Sequence, residues 1–428
     1  MTELIVKLGD PAATNAARFG PKAANQAFLG RAGLPIPAGF CLDAEAYRLQ
    51  LKALGLEEAA AVAGSLEGAD ARPQISEVRI ALFERPITPS VLKPLRKAWR
   101  ELISDTSTLT VVRSSALVED IAGSTFAGQF ETFLGLENED EFLTAVRACW
   151  AALWSPRALQ YMSGHAFSPA DTAMALCIQP LVEARVSGGG MSRTADGNMM
   201  LSATWGLGTP IAQGEVVPDR YRLSRDGELL EAVAGHEEHS AFCAHHGAAR
   251  SESLAAKGIA GRACLNSRQA IELGQLMLRA ESLLGVPIEI EWALDAAGFK
   301  MLQARPLRME PAKVPDDIWS RRPGLRGQPS GIGWASGRSC VINCECELSR
   351  VAPGDVLVTR VAGPALSQVL PRVAGVVAEL GGSTSHLASL ARERGIPMVL
   401  GVLEATRKIP DGAQVGVDGV MGMVRWQH

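Results

Sequence analysis

The chain has 428 residues, a hydrophobic fraction of 47% and a formal net charge of −4. That length fits two or three domains, and the apolar content supplies sizeable cores, which excludes an intrinsically disordered chain. The slightly acidic balance argues against a nucleic-acid-binding face, MTELIVKLGD lacks the basic and apolar regions of a secretory leader, and no apolar run reaches the ~18 residues of a membrane span. A soluble cytoplasmic protein is expected, without nucleic acid or membrane as partner.

Leu4 to Leu8 reads as a short strand. Phe19-Gly20-Pro21-Lys22-Ala23-Ala24-Asn25 follows, with helix-like residues up to Ala32-Gly33. Leu34-Pro35-Ile36-Pro37-Ala38-Gly39-Phe40 fixes a connection into another strand, and helical patterns dominate to about Ser104. Thr108 to Arg113 is β-branched and apolar, which predicts a strand delivering Arg113-Ser114-Ser115-Ala116 at its end. A polar loop runs from Glu119 to Thr132, and Glu139 to Ser163 reads as an amphipathic helical region with Trp150 and Trp154 in the core. Met174 to Val182 predicts a buried strand, and Ser187-Gly188-Gly189-Gly190-Met191 a glycine-rich turn. A helix ends at Leu284, before a hairpin of Ile288–Leu294 and Lys300–Arg305 joined by Asp295–Gly298.

Residues 309–333 are rich in Pro, Gly, Arg and Asp and read as an interdomain linker. From Trp334 a compact β-rich unit is expected, with strands near Val356–Thr359, Gly375–Glu379 and Met398–Leu400 and a terminal hairpin at Asp418-Gly419. Most of the eight cysteines stand alone in apolar contexts and read as reduced, buried thiols. His236-Glu237-Glu238-His239, with Cys243, His245 and His246, reads as a polar surface loop or helix end, because its histidines are three apart rather than four. Cys340, Cys344 and Cys346 have no second pair at zinc-ribbon spacing.

The chemistry concentrates near the C-terminus. Gly381-Gly382-Ser383-Thr384-Ser385-His386 ends an apolar segment and leads into a helix stopped by Gly395 and Pro397. The histidine thus starts a helix, where free N–H groups and the positive dipole end favour an anion, and it can carry a phosphoryl group. Upstream, Lys22 follows a turn, where an ammonium can meet phosphate, and Arg113 ends a strand, where its planar fork can bind phosphate oxygens. Glu289 and Glu291 share one strand face, as do Gln303 and Arg305 on the return strand. Two carboxylates and an amide oxygen suit Mg²⁺. Taken singly, Lys22 reads as a surface lysine, the glutamates as a solvated strand face, and Arg113 equally as half of a structural ion pair. Their order along the chain, with His386 at the end, carries the reading.

In that order the motifs resemble the phosphoenolpyruvate synthase and pyruvate phosphate dikinase family. VVRSSALVEDIAGSTFAGQFETFLGL (from Val111), CWAALWSPRA, WGLG, QGEVVPDRY, GVPIEIEWALD, LQARP, GDVLVT, GVVAELGGSTSHLASLARERGIPMVLG and VDGVMG follow in sequence over nearly the whole chain. The resemblance implies an α/β and α+β multidomain fold. An ATP-grasp-like domain spans 1–308, with subdomains of about 1–185 and 186–308, and joins through 309–333 to a small swivelling β/β/α phosphohistidine domain at 334–428. It also implies that Lys22, Arg113 and Arg305 bind ATP phosphates, and that Glu291 and Gln303 hold Mg²⁺ with Glu289 beside them in the ATP site. His386 would accept the β-phosphoryl group of ATP, leaving AMP, with Gly382, Thr384 and Ser385 supporting its loop. An ordinary imidazole is largely neutral at pH 7, as a nucleophile must be.

Three positions depart from the family pattern: Gly20-Pro21-Lys22 for a double glycine and lysine, Glu289 for an aspartate, and Ser187-Gly188-Gly189-Gly190-Met191-Ser192 for SGVxFT. The β/α-barrel that binds pyruvate in full synthases, which needs ~200 residues, does not follow within the chain. A small-molecule acceptor, pyruvate or a phenol or other alcohol, is therefore expected on a separate protein subunit, as in the phenylphosphate synthases that the chain resembles. Two alternatives are a self-sufficient phosphotransferase that binds its acceptor between domains, and a non-catalytic ATP-sensing module.

Overall fold

A computed structural model describes residues 3–65, 71–106, 108–120, 125–237, 239–245, 248–255, 257–309 and 324–427. It is a mixed α/β protein that divides into two units. The first comprises Met1–Glu183, Phe242–Arg250 and Asp295–Arg305; the second comprises Ala184–Ala241, Ser251–Leu294 and Pro306–His428. Among the described residues no helix is long and apolar enough to cross a membrane.

The first unit contains β1 (Ile5–Lys7), α1 (Ala16–Arg31), β2 (Phe40–Leu42), α2 (Ala44–Ala53), α3 (Glu57–Ser65), α4 (Arg72–Glu84), α5 (Pro89–Thr106), β3 (Thr110–Ala116), β4 (Thr132–Leu136), α6 (Glu139–Ala152), α7 (Pro156–Ser163) and β5 (Met174–Pro180). Its sheet runs β1-β2-β5-β3-β4, antiparallel throughout. The stretch from Glu139 to Ser163, read as an amphipathic helical region, is made of two helices. Ser155 caps the second by accepting from the Ala158 N–H, and Pro156 occupies the first helical position, which cannot continue a preceding helix. Trp150 and Trp154 are fully buried, and the Trp154 indole donates to Tyr47 Oη at 2.8 Å.

α1 carries a break at Gly20. Gly20 has φ +72° and ψ 159°, outside helical geometry. Pro21 therefore begins the main helical segment, a position that suits its fixed φ and missing N–H, and Lys22 falls in the first turn. The Ala23 N–H donates to Ser115 Oγ at 3.2 Å, which joins this turn to the end of β3.

The second unit begins with β6 (Val186–Met191), β7 (Met199–Trp205), α8 (Thr209–Gln213), β8 (Asp219–Leu223) and β9 (Leu229–Val233). Next in the chain come a ribbon of β10 (His239–His245) and β11 (Ala248–Ser253), divided between the units, then α9 (Ser267–Leu284) and β12 (Ile288–Asp295) of the second unit, and β13 (Gly298–Pro306), which belongs to the first as far as Arg305. Strands β12, β6, β7, β8 and β9 lie side by side in that order. The segment from Ser187 to Met191, read from sequence as a glycine-rich turn, is part of the fully buried strand β6. Its glycines answer close neighbours rather than a bend. A Cβ on Gly188 would lie 1.9 Å from the Ser202 carbonyl oxygen, on Gly189 2.6 Å from Thr384 Cβ, and on Gly190 2.9 Å from Leu201 Cδ2.

The C-terminal sheet takes in β14 (Gly324–Arg326), β15 (Gln328–Pro329), β16 (Trp334–Ile342), β17 (Val356–Thr359), β18 (Gly375–Ala378), β19 (Met398–Leu400), β20 (Gln414–Asp418) and β21 (Met423–Gln427). Its order is β14-β21-β20-β16-β17-β18-β19-β15, with β16 to β19 parallel. Of the stretch 309–333 read as a linker, 310–323 lie outside the described residues, while β14 and β15 are the two edges of this sheet. Helices α10 (His386–Glu393) and α11 (Ala405–Lys408) belong to the same region, whose core is Val356, Val358, Val377, Val399, Val415 and Val417. Cys344 and Cys346 are joined by a disulfide, unlike the free thiols expected; their Cα atoms are 5.3 Å apart, within reach of a bridge.

The positive φ at Gly20 and its approach to β3 make it irreplaceable on steric grounds. A Cβ there would sit 2.4 Å from the Ser115 carbonyl oxygen. Gly20→Ala should destabilise the protein by about 1–3 kcal/mol in urea unfolding, the usual cost of forcing atoms into a packed site; an unchanged midpoint would contradict this account.

Candidate functional site

The residues singled out in the sequence fall in both units. Lys22, Arg113, Gln303 and Arg305 are in the first; Glu289, Glu291, Gly382, Thr384, Ser385 and His386 are in the second.

In the first unit, Lys22 Nζ lies 2.6 Å from Glu119 Oε2. Glu119 is fully buried, and its other oxygen accepts the Ala116 N–H at 2.8 Å, just past the end of β3. Burial pushes its carboxyl above the usual carboxylate range, while Lys22, and more distantly Arg305, draw it back down. Asn25 donates to the Ala304 carbonyl at 3.3 Å and Gln26 to that of Met301 at 3.2 Å, so α1 fixes the strand that bears Gln303 and Arg305. Arg113 is half-buried on β3. The fold therefore gathers Lys22 and Arg305 around one buried carboxylate, a residue that sequence reasoning passed over. Its signal was present: an acid six residues after Arg113, at the close of a buried strand.

In the second unit, Glu289 and Glu291 alternate with buried Ile288, Ile290 and Trp292 on β12 and so share the less buried face. Glu291 pairs in register with Gly189 of β6, and Thr384 packs directly on that glycine. The histidine loop thus lies over the face that carries the two glutamates. His386 is the first residue of α10, as its sequence implied, and Ser385 caps the helix by accepting the Ala388 N–H. The Ser383 and Thr384 hydroxyl oxygens are buried without a hydrogen-bond partner. Two buried hydroxyls without partners are donors that an anion at this helix start could use.

Glu289 is engaged in a way that sequence reasoning missed. It accepts from Ser389 Oγ at 2.9 and 3.1 Å and pairs with the Arg392 guanidinium. Gln303 offers an amide oxygen and Glu291 a carboxylate, both half-exposed hard donors of the kind Mg²⁺ takes.

Residues 16–322 match the family described as pyruvate phosphate dikinase, AMP/ATP-binding domain, and residues 351–422 match the PEP-utilising enzyme mobile domain. The chain therefore belongs to the phosphoenolpyruvate synthase and pyruvate phosphate dikinase family. It is 31% identical over 422 residues to a probable phosphoenolpyruvate synthase of Archaeoglobus fulgidus, with 95% of this chain and 56% of the relative covered. It is 30% identical to the phosphoenolpyruvate synthase of Aeropyrum pernix over the same shares, and 30% to that of Pseudomonas aeruginosa over 92% of this chain and 53% of the relative. The chain thus spans about half the length of these relatives.

The histidine-rich stretch at 236–246 is a different matter. Glu238 and His246 lie outside the described residues. Among the described residues no group of three or more His, Cys, Asp or Glu could hold a metal ion. The Glu237 carboxylate accepts from the Thr204 hydroxyl and the Trp205 N–H, yet burial pushes its pKa up to about 7 from an ordinary 4.5. The folded chain then holds a proton that the unfolded chain has released. This stabilisation is complete below the ordinary value and is lost as pH rises to about 7. Glu237→Gln cannot ionise, so its thermal midpoint should exceed that of the wild type at about pH 8, and the gap should narrow towards about pH 4. A gap that widens on acidification would reverse the sign.

Proposed function

We propose that this chain takes the β-phosphoryl group of ATP onto His386 and passes it to a small-molecule acceptor. The observation that carries the reading is the loop itself. A histidine opens α10, flanked by buried unpartnered hydroxyls, and its loop packs on the strand face that bears Glu289 and Glu291. The match to an AMP/ATP-binding domain and a PEP-utilising mobile domain supports the same reading.

In this reading Lys22, Arg113 and Arg305 bind the ATP phosphates, with Glu119 holding Lys22 in place. Glu291 and Gln303 would hold Mg²⁺, which when bound neutralises charge on the transferring phosphoryl group. A neutral ring nitrogen of His386 attacks the β-phosphorus. The bond from that phosphorus to the α,β-bridging oxygen breaks, and AMP leaves with the electron pair. The γ-phosphate is then removed by water as phosphate, or by phosphate as pyrophosphate. The helix N–H groups, Thr384 and Ser383 can steady the phosphohistidine. Pyruvate is the first acceptor to try, because the relatives are named phosphoenolpyruvate synthases; a phenol or other alcohol is the second. We place the acceptor on a separate subunit.

Purified protein incubated with Mg²⁺ and ATP labelled at the β-phosphate should release AMP and acquire an acid-labile label that His386→Ala abolishes. A folded, ATP-binding protein that takes up no label would overturn the reading. Discharge of the labelled protein by pyruvate or a phenol, with no second protein present, would overturn the separate subunit.

A further inference from the structure

The resemblance assigns Glu289 to the nucleotide, yet its contacts run to the histidine domain. Arg392, six residues after His386 on α10, is only 2% exposed. Its guanidinium donates to the Ser330 carbonyl at 3.0 Å, the Ser383 carbonyl at 2.5 Å and Ser389 Oγ at 3.1 Å. These acceptors belong to the C-terminal region. The remaining partner, and the anion among them, is Glu289 on β12.

We propose that Glu289, Ser389 and Arg392 form the seat that positions His386 for phosphoryl uptake, and that Glu289 serves the histidine domain rather than the nucleotide. This inference rests on the phosphohistidine reading above. Three observations support it. A guanidinium withdrawn from water is costly unless an anion faces it, and Glu289 supplies that anion when the histidine domain is seated. The same guanidinium grips the Ser383 carbonyl three residues before His386, so the pose of the loop and the seating of the domain are coupled through one side chain. The surrounding fit is equally specific. Thr384 rests on Gly189, and the Gly381 N–H donates to the Val216 carbonyl at 3.0 Å. Gln328 donates to the Pro218 carbonyl at 3.3 Å, and a Cβ on Gly382 would strike Pro218 Cγ at 2.6 Å. The QGEVVPD run, Gln213–Asp219, thus also takes part in the seat, through Val216 and Pro218. Backbone hydrogen bonds, glycine contacts and one ion pair make a polar join of the kind that can part and re-form.

Four variants separate this role from nucleotide binding. Ser389→Ala acts from the histidine-domain side of the seat. It should slow AMP release and His386 labelling about tenfold, the loss of a hydrogen bond to a charged group, with ATP affinity unchanged. Glu289→Gln should do the same, and Glu289→Asp should recover part of the rate. Gly189→Ala, which alters no charge but meets Thr384, should slow labelling likewise. Hydrogen exchange of each variant, read without ATP, should rise both at 213–219 and at 383–392. If Glu289→Gln weakens ATP binding while Ser389→Ala changes neither labelling nor exchange, the seat is wrong and Glu289 belongs to the nucleotide. Should the wild type take up no label at all, the phosphohistidine reading fails, and the exchange data alone decide whether the seat exists.

Discussion

A guanidinium has five N–H donors and no acceptor, and it cannot shed its charge to ease burial. Arg392 is sunk in the protein all the same, so its surroundings must be built to receive it. Its partners fix four things at once: the Ser330 carbonyl beyond edge strand β15, the Ser383 carbonyl ahead of the histidine, the Ser389 hydroxyl on its own helix and the Glu289 carboxylate on β12. The order of the histidine loop and its placement on the sheet therefore share one electrostatic requirement. Neither can be changed without leaving part of that cation unanswered.

A mirror-image device operates in the first unit. There the buried ion is the Glu119 carboxylate, and the cation that faces it is partly open to solvent through Lys22. The ion pair reaches its partner's backbone too, because Glu119 closes the turn after β3 by accepting the Ala116 N–H. Lys22 is consequently held by the same strand that carries Arg113, and Gly20 with Ser115 locks the two segments at van der Waals limits. Pro21 fits this arrangement because it stands at the start of a helical segment, where a proline costs no hydrogen bond. With proline there, Lys22 still falls in the first turn and reaches Glu119.

Much of this was legible in the sequence. The strand ending at Arg113 and its neighbours, the paired glutamates of β12, the β-rich C-terminal region and the helix opened by His386 follow from periodicity, turn chemistry and capping signals. What escaped was what depends on distant neighbours. Three consecutive glycines read locally as a turn, yet in β6 they are small because Ser202, Thr384 and Leu201 press against them from elsewhere in the chain. Gly324–Arg326 and Gln328–Pro329 read as linker because strands of three and two residues carry no period; they are strands only by virtue of β21 and β19 beside them. Glu119 and Arg392 were hidden for a related reason. A charged residue near a loop or on a short helix reads as solvated, and only tertiary packing reveals that it is buried and paired.

The same reasoning bears on Glu289, where the family pattern has aspartate. Glutamate extends the carboxylate by one methylene away from β12. A longer arm suits a group that must cross to a guanidinium on another segment, and both of its oxygens lie within reach of the Ser389 hydroxyl on the way. Glu291, two residues on, points to the same face but stands opposite Gly189. Of the two carboxylates on this strand face, one thus meets a buried cation, while the other is paired in register with a glycine on which Thr384 packs. Their spacing is the same as for any pair two residues apart on a strand, so what sets Glu289 apart is the partner set that α10 brings to it, Ser389 and Arg392.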